Sequence, residues 1–367
     1  MDLDRIVAQA LTIQAIPSPT FEEGARASYL HSQFARLGLE QVHLDVVGNV
    51  LGRLGPGDAP ALVVCAHLDS VFPRIEVIPA RRNGGRVCGP GIGDNALGLA
   101  ALLELAYDLS HQPFDGCVWL AGTVGEEGLG NLRGIHSLME GFGAQVRAYV
   151  VIEGMSLGNI YQTGLPARRL RIRVHTRGGH SWTHAGRPSA VHEIIHLAQR
   201  LLMIPLPSTP RSSLNLGRLE GGMAINAIAA HASLEVDLRS EDENIVAGLE
   251  AAVLVQASAQ ATADVEVESE SVGSRPGGGI PADHPLVAAA AACLRAQGIH
   301  DVHLGAGSTD ASAPLSLGIP AVCVGVTRGN MAHTQDESIE IAPIAQGYGA
   351  LLQTVREASR LIDAGEV

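Results

Sequence analysis

The sequence predicts an α/β fold: a mixed, largely parallel sheet with helices on both faces, and a smaller α+β domain inserted into the chain. Continuous apolar runs at residues 61–66, 117–123 and 149–152 are typical of strands that are buried on both faces of a sheet. The segment 95–109 is apolar almost all round and predicts a buried helix between two of these strands. From residue 165 the strands alternate apolar and polar residues, which indicates a separate, half-exposed sheet.

The remaining elements follow from the same patterns. An amphipathic helix precedes Pro17, and Thr20 and Glu23 have the spacing of a capping box at the start of a second helix. Strand signals between residues 42 and 54 come before the apolar strands, and Pro343 opens a last amphipathic helix.

The inserted segment alternates strands with amphipathic helices, as in strand 170–175 and the helix that follows Pro188. The segment is bounded by Gly164 at its start and by the glycine-rich turn 275–279 at its end. We therefore predict a larger domain of residues 1–164 and 276–367, and an inserted domain of residues 165–275.

Composition limits the class of protein. The 367 residues are 46% hydrophobic, which suffices for a sizeable core, and the net charge is −13 with no basic block. That charge argues against nucleic acid and anionic membranes as partners. Five widely separated cysteines without a Cys-x-x-Cys pair indicate reduced thiols in a cytoplasm. The N-terminus lacks the features of a signal peptide and no apolar run approaches membrane-spanning length, so we expect a cytoplasmic protein.

Two adjacent carboxylates stand out after the apolar run 117–123. Glu126 and Glu127 are flanked by Gly125 and Gly128, at the point where a buried strand would end. Like charges so placed repel each other. A protein tolerates this repulsion where a cation lies nearby or where one carboxyl carries a proton. A solvated turn is the alternative if these residues are taken alone.

Other strands and turns deliver the same residue types. His67 and Asp69 follow strand 61–66, Glu153 follows strand 149–152, Asp94 lies in a glycine-rich turn, and His333 lies near the C-terminus. In open α/β sheets, sites lie outside the carboxyl ends of the strands. Imidazole and carboxylate ligands without thiolate suit zinc, with cobalt or manganese as alternatives.

Five candidate ligands are too many for one tetrahedral ion. The set fits two ions if Asp94 bridges them, with an open position for a shared water molecule whose pKa the ions would lower. Glu126 is then left over to take the proton of that water, and Asp69 can accept the second imidazole proton of His67. Any member alone is more often incidental, so the prediction depends on the ordered set.

This ordered set resembles the co-catalytic zinc exopeptidases and deacylases, the family of acetylornithine deacetylase, succinyl-diaminopimelate desuccinylase, glutamate carboxypeptidase, aminoacylase and peptidase T. The resemblance runs over nearly the whole chain. It implies one zinc ion on His67, Asp94 and Glu153, and a second on Asp94, Glu127 and His333. It implies Glu126 as general base and acid, Asp69 as the residue that orients His67, and a cis peptide bond after Asp94. The inserted domain would be a lid that forms a homodimer.

Further motifs match this family's substrate site. They contain His180 in Gly-Gly-His-Ser, Asn226 at the end of Gly-Gly-Met-Ala-Ile-Asn, Arg239 in Asp-Leu-Arg, and Ser308 and Thr309 in Gly-Ser-Thr-Asp. The resemblance implies oxyanion contacts for the histidine and asparagine, with the histidine acting on a neighbouring subunit's metals. It implies a substrate carboxylate for the arginine. The alternatives are an exposed loop histidine, a turn asparagine, and an ion pair of Arg239 with a nearby carboxylate.

Departures from the family's patterns leave the substrate open. Many members have a second Asp and a Lys after the bridging aspartate, where this chain has Asn95 and Ala96, as in peptidase T. Glu153 instead resembles the carboxypeptidase and deacylase branch. The expected function is hydrolysis of a small peptide or N-acyl amino acid by metal-bound hydroxide. The alternatives are a relative of the single-domain zinc aminopeptidases and a non-catalytic metal-binding or scaffold protein.

Overall fold

The computed structural model describes residues 2–56, 61–74, 78–114 and 116–367. Contacts within the chain divide it into two compact units: Met1–Gly164 with Gly278–Val367, and Leu165–Gly277. The predicted inserted domain, residues 165–275, ends two residues before this second unit does. A lid or dimerisation role for the second unit stays a prediction.

The elements are as follows, in chain order. The strands are β1 (Glu40–Leu44), β2 (Val50–Leu54), β3 (Ala61–His67), β4 (Arg81–Asn83), β5 (Arg86–Cys88), β6 (Cys117–Thr123), β7 (Val146–Glu153), β8 (Asn159–Gly164), β9 (Ala167–Thr176), β10 (Gly179–His180), β11 (Ser212–Gly221), β12 (Ala227–Ile228), β13 (His231–Ser240), β14 (Val265–Arg275), β15 (Gly278–Gly279), β16 (His303–Gly307), β17 (Ala321–Gly325), β18 (Gly329–Asn330) and β19 (Ser338–Glu340). The α-helices are α1 (Leu3–Gln14), α2 (Gly24–Arg36), α3 (Gly98–His111), α4 (Arg133–Phe142), α5 (Ala190–Leu201), α6 (Glu243–Ser258), α7 (Pro285–Ala296), α8 (Ser312–Ser316) and α9 (Ile344–Asp363).

The larger unit is built on a nine-stranded sheet with the spatial order β1-β2-β6-β3-β7-β17-β8-β15, to which β16 is added beside β8. The four central strands β6, β3, β7 and β17 are parallel. At the edges of the sheet the pairing is antiparallel: β1 pairs with β2, β2 with β6, and β15 with β8. The predicted mixed, largely parallel sheet is therefore confirmed.

Helices cover both faces of the central strands. All seven residues of β3 are buried, and successive side chains of a strand point to opposite faces, so neither face of β3 meets solvent. Helices α3 and α9 both contact β3 and β7. Helix α3 is buried almost all round, and its one buried glutamate, Glu104, forms an ion pair with Arg5 at 2.7 Å. This burial explains the nearly continuous apolar sequence of the helix.

The direction of the parallel strands positions the candidate site. His67 is the last residue of β3, Thr123 the last of β6 and Glu153 the last of β7. His67 and Thr123 are register partners, so these carboxyl ends lie at one edge of the sheet. A shorter sheet with the order β18-β19-β5-β4 lies in the same unit and flanks the segment that contains Asp94.

The second unit is an antiparallel sheet of order β11-β13-β9-β14, which α5 and α6 contact. The residues that alternate into its core include Leu170, Ile172 and Val174 of β9. The alternate positions 169, 171 and 173 of β9 are arginines, and two of these, Arg169 and Arg171, pair with carboxylates of β13. The alternating sequence of this segment thus reflects one apolar and one charged face.

The predicted capping box is wrong. Helix α2 begins at Gly24 and has no side-chain cap. The Glu23 carboxylate instead accepts the backbone N–H of Gly125 at 3.0 Å and binds Arg133, and the Thr20 hydroxyl donates to Asp69 at 2.8 Å. Both side chains are drawn away from the helix by partners that are distant in sequence.

The described part of the chain contains no helix that is both long enough and apolar enough to cross a membrane. All five cysteines are free thiols.

Candidate metal centre

The five predicted metal ligands converge at the edge of the sheet in the larger unit. His67 and Glu153 end their strands, and Glu127 follows β6 by four residues. Asp94 lies in the turn that precedes α3, and His333 lies between β18 and β19 with a positive φ of 63°. Strand ends and turns therefore supply all five side chains.

The distances between them are those of one shared site. His67, Asp94 and Glu127 each offer a ligand atom, and these three atoms lie within 4.8 Å of one another. The Nε2 atom of His67 is 3.0 Å from Asp94 Oδ1 and 3.8 Å from Glu153 Oε2. The Nε2 atom of His333 is 3.1 Å from Asp94 Oδ2 and 3.2 Å from Glu127 Oε1. The two oxygens of Asp94 therefore face the two histidines separately.

Both imidazoles have raised pKa values. Burial alone would lower the pKa of His67, but hydrogen bonds to three carboxylates outweigh burial and raise it well above its ordinary value. Hydrogen bonds to Asp94 and Glu127 raise the pKa of His333 to about 11. Each histidine is stabilised as a cation because it is surrounded by carboxylates.

The pKa values of the carboxylates are shifted in opposite directions. Burial tends to raise the pKa of Asp94, but the hydrogen bonds from His333 and His67 outweigh it and bring the pKa below its usual range. Burial and the charge of Asp94 raise the pKa of Glu127 to about 7. Burial raises the pKa of Glu153 to about 7 as well.

The donor set fits divalent metal ions. Two imidazole nitrogens and three carboxylates at one buried edge are ligands that zinc, cobalt and manganese accept. A divalent cation bound here would compete with protons for the carboxylates of Glu127 and Glu153, whose pKa values are raised. The bridging position of Asp94, with one oxygen toward each histidine, is compatible with two ions.

Asp69 connects the strand ends beneath this cluster. Its Oδ1 is 3.4 Å from Nδ1 of His67 and accepts the backbone N–H of Glu126 at 3.0 Å. Its Oδ2 accepts the backbone N–H of Glu127 at 2.9 Å and the hydroxyl of Thr20. His67 Nδ1 also lies 3.1 Å from the backbone carbonyl of Asp69. Burial would raise the pKa of Asp69, but its bonds to His67 and to these donors lower it.

Asn95 attaches the Asp94 turn to the end of β7. Its amide nitrogen donates to the carbonyl of Ile152 at 2.8 Å, and its side-chain oxygen accepts the N–H of Gly154 at 2.9 Å. These two backbone groups flank Glu153. The peptide bond between Asp94 and Asn95 is cis, as the family resemblance implied.

Glu126 is buried beside the candidate ligands. Its charge contributes to the raised pKa values of Glu127, Glu153 and Asp310. Glu126 thus supplies a buried carboxylate directly before the candidate ligand Glu127, where a proton acceptor could serve a reacting water molecule.

Two buried acids at the site were missed by sequence reasoning. Asp310 Oδ2 accepts the hydroxyl of Thr123 at 2.6 Å, while its Oδ1 is buried without a hydrogen-bond partner among the described residues. Burial and the charge of Glu126 raise the pKa of Asp310 to about 7. The motif that contains Asp310 had been assigned to the substrate site only through Ser308 and Thr309. In the structure Ser308 is half-buried and Thr309 is buried.

Glu337 is the second missed acid, and it is fully buried four residues after His333. Its carboxylate accepts three backbone N–H groups, those of Gly91, Gly93 and Asp94. Burial raises the pKa of Glu337 to about 7 although these donors oppose the shift. No signal in the sequence separates Glu337 from the acid beside it, Asp336, because its partners lie more than 240 residues away.

The remaining predicted residues lie in the second unit. His180 is exposed, and its Nδ1 accepts the backbone N–H of Trp182 at 3.1 Å. Asn226 is also exposed, and its backbone carbonyl accepts the N–H of Ser181 at 3.0 Å. Arg239 donates through Nε to Asp237 at 2.7 Å, which is one of the ion pairs considered as an alternative to substrate binding.

The chain matches the model of peptidase family M20/M25/M40 over residues 63–357. The chain belongs to this family. It is 25% identical over 362 residues to the succinyl-diaminopimelate desuccinylase of Corynebacterium glutamicum, which covers 93% of this chain and 94% of that protein. The predicted resemblance is therefore confirmed, and the chain is a metal-dependent hydrolase.

Solved structures of similar fold support the architecture. A tripeptidase from Staphylococcus aureus has a TM-score of 0.76 and 24% identity, with 98% of this chain and 99% of that chain covered. The aminopeptidase PepT from Bacillus cereus has a TM-score of 0.72 and 21% identity, with 97% and 99% covered. At these identities the likeness concerns the fold alone.

Proposed function

We propose that this M20 family hydrolase uses two divalent metal ions to cleave the amide bond of a small peptide or an N-acyl amino acid. The observation that carries the proposal is the position of Glu126, buried beside a cluster of five ligand-type side chains at one edge of the sheet. A site that only bound metal would not require a further buried carboxylate.

The proposed ligands divide between the two ions around Asp94. His67, Asp94 and Glu153 would hold one ion, and Asp94, Glu127 and His333 would hold the other. The distances from Asp94 to the two histidines, 3.0 and 3.1 Å, support this division. When bound, such ions lower the pKa of a water molecule and polarise the substrate carbonyl. Zinc is the proposed metal, with cobalt or manganese as alternatives.

The chain's own groups move and hold protons around this centre. Glu126 takes a proton from the attacking water and returns it to the nitrogen of the leaving amine. Asp69 holds His67 in orientation through Nδ1, and the two backbone N–H groups that Asp69 accepts fix the turn that contains Glu126.

The substrate class rests on the chemistry that related proteins share. The matching family model is one of peptidases, and the relative from Corynebacterium glutamicum is named a desuccinylase; each of these reactions cleaves an amide beside an amino acid. In this proposal Arg239 binds a substrate carboxylate, Asn226 and His180 contact the oxyanion, and Ser308 and Thr309 line the substrate site. We further propose a cytoplasmic homodimer that forms through the inserted domain predicted for residues 165–275.

Replacement of Glu126 by Gln tests the proposal. Turnover should fall roughly 100- to 10,000-fold while the metal content stays that of the wild type, because only the proton acceptor is lost. Substrates should include dipeptides, tripeptides and N-acetyl, N-succinyl and N-carbamoyl amino acids, each with zinc, cobalt and manganese. The neighbouring Glu127→Gln is the matched control and should lose metal. Near-wild-type turnover of Glu126→Gln would refute the mechanism, and metal binding without hydrolysis by the wild type would favour a non-catalytic role.

A further inference from the structure

Two loops that contain proposed ligands of one ion meet at Glu337. Asp94 lies on the first loop and His333 on the second, and their Oδ2 and Nε2 atoms are 3.1 Å apart. Glu337 belongs to the second loop, four residues after His333, and has no solvent-exposed surface. Its side chain spans the gap between the two loops.

Among the described residues, the hydrogen bonds of the Glu337 carboxylate are all made to the loop that contains Asp94. Its Oε1 accepts the backbone N–H groups of Gly93 at 2.7 Å and Asp94 at 2.9 Å, and its Oε2 accepts that of Gly91 at 3.0 Å. Its own backbone carbonyl accepts the N–H of Gly89 at 2.8 Å. Gly91 has a φ of +70°, a conformation that residues with a side chain rarely adopt. Converging N–H groups of this kind form a concave site for an anion.

We propose that Glu337 is a positioning residue that fixes Asp94 relative to His333 and so sets the affinity for the ion that these two residues share. This inference rests on the proposed division of ligands between two ions. Glu337 is not itself a ligand in this proposal, because both of its oxygens are occupied by backbone donors.

The other side of Asp94 is held independently. Asn95 binds the backbone of Ile152 and Gly154, on either side of Glu153, at 2.8 and 2.9 Å. Loss of Glu337 would therefore detach the Asp94 loop from the loop that contains His333. The attachment of Asn95 to the backbone beside Glu153 would persist. The ion held by His333 should be weakened more than the ion held by His67 and Glu153.

Glutamine is the informative replacement for Glu337. It has nearly the same shape, but its NH2 group would face at least one of the three N–H groups as donor against donor. Glu340→Gln is a matched control on the same segment, because Glu340 pairs with Arg86 at 3.0 Å and accepts no N–H from the Asp94 loop in the described structure.

The test is a zinc titration of the metal-stripped chain by calorimetry and by competition with a coloured chelator. The wild type and Glu340→Gln should bind two ions. Glu337→Gln should bind one ion with wild-type affinity and the second about 10- to 100-fold more weakly. Its turnover should approach the wild-type value at saturating zinc, because the proton acceptor Glu126 is intact. A general loss of structure would not be restored in this way.

The outcomes separate the two proposals. Equal affinities of Glu337→Gln and the wild type at both ions would overturn the role of Glu337 and leave the proposed function intact. A wild-type chain that binds fewer than two ions would overturn the proposed function and this inference with it. If Glu337→Gln does not fold, Glu337→Asp carries the test. It keeps the charge but shortens the reach, and it should also weaken the second ion selectively.

Discussion

The Asp69 carboxylate accepts the backbone N–H of Glu127 at 2.9 Å. Through its other oxygen it accepts the N–H of Glu126 and lies 3.4 Å from the Nδ1 atom of His67. One buried side chain thereby joins the end of β3 to the turn that follows β6. Its role is wider than the sequence indicated, since it positions the two glutamates as well as the imidazole.

Asp69→Asn should weaken metal binding about 10- to 100-fold, which is the usual effect of losing a group that orients a ligand. The reason is that the asparagine NH2 group would face a backbone N–H of Glu126 or Glu127. A zinc titration of the stripped protein measures the change. Thr20→Val removes only the hydroxyl that donates to Asp69 at 2.8 Å and should have a smaller effect. Wild-type affinity in Asp69→Asn would contradict this role.

The fold could be predicted because its signals are local. The fully buried strand β3 and the buried helix α3 appear in the sequence as apolar runs. The proximity of His67, Glu127 and Glu153 could be predicted because parallel strands bring their carboxyl ends to one edge. The capping box failed for a physical reason: Glu23 has stronger partners in Gly125 and Arg133, about 100 residues away or more.

The buried acids show the same limit more clearly. Asp310 accepts a hydrogen bond from Thr123, which is 187 residues away in the sequence, and Glu337 accepts one from Gly93, which is 244 residues away. Local patterns identify acids that follow a strand or a glycine turn. They do not distinguish a buried acid that is hydrogen-bonded to a residue distant in sequence from an acid that faces solvent.

Asp310→Asn should change how stability depends on pH in the metal-free protein. The pKa of Asp310 is about 7 in the folded chain, because of burial and the charge of Glu126, against about 3.9 for an unfolded aspartate. Between these values the folded state keeps a proton that the unfolded state has lost, so the wild type loses stability as pH rises from about 4 to about 7.

The variant lacks this titration. As pH rises through that window, the unfolding free energy of Asp310→Asn should therefore increase relative to that of the wild type by about 1 kcal/mol per pH unit. Urea denaturation in the presence of a chelator measures it, and Asp363→Asn, which removes an exposed carboxyl, is the control. Parallel pH profiles of wild type and Asp310→Asn would refute the prediction.

The proposed action of His180 on a neighbouring subunit can be tested with mixed dimers. His180→Ala should lower turnover about 100- to 1000-fold if the imidazole stabilises an oxyanion, and Glu126→Gln should lose turnover for a different reason, the loss of the proton acceptor. A mixed dimer would then contain one site with both defects and one intact site, so activity should recover towards half of the wild-type value. No recovery, with mixed dimers verified by native mass measurement, would exclude action across the dimer.

Arg239 has two candidate roles, a contact to the substrate and a structural ion pair with Asp237. Its Nε donates to Asp237 at 2.7 Å, and Asp237 is also bound by Arg169 at 3.0 Å. Because Arg169 would keep the aspartate paired and Arg239 is partly exposed, Arg239→Met should cost less than about 1 kcal/mol of stability. Its effect on the reaction can therefore be read without a large effect on folding.

Arg239→Met should raise KM about 10- to 100-fold for substrates with a free carboxylate, which is the range expected for losing a hydrogen bond to a charged group. It should leave KM unchanged for the corresponding C-terminal amides, because they carry no charge for the guanidinium to bind. Steady-state kinetics on matched acid and amide substrates give the comparison, and Arg169→Met is the control that removes the other partner of Asp237. An equal loss on acids and amides would show that Arg239 serves the ion pair with Asp237 and not the substrate.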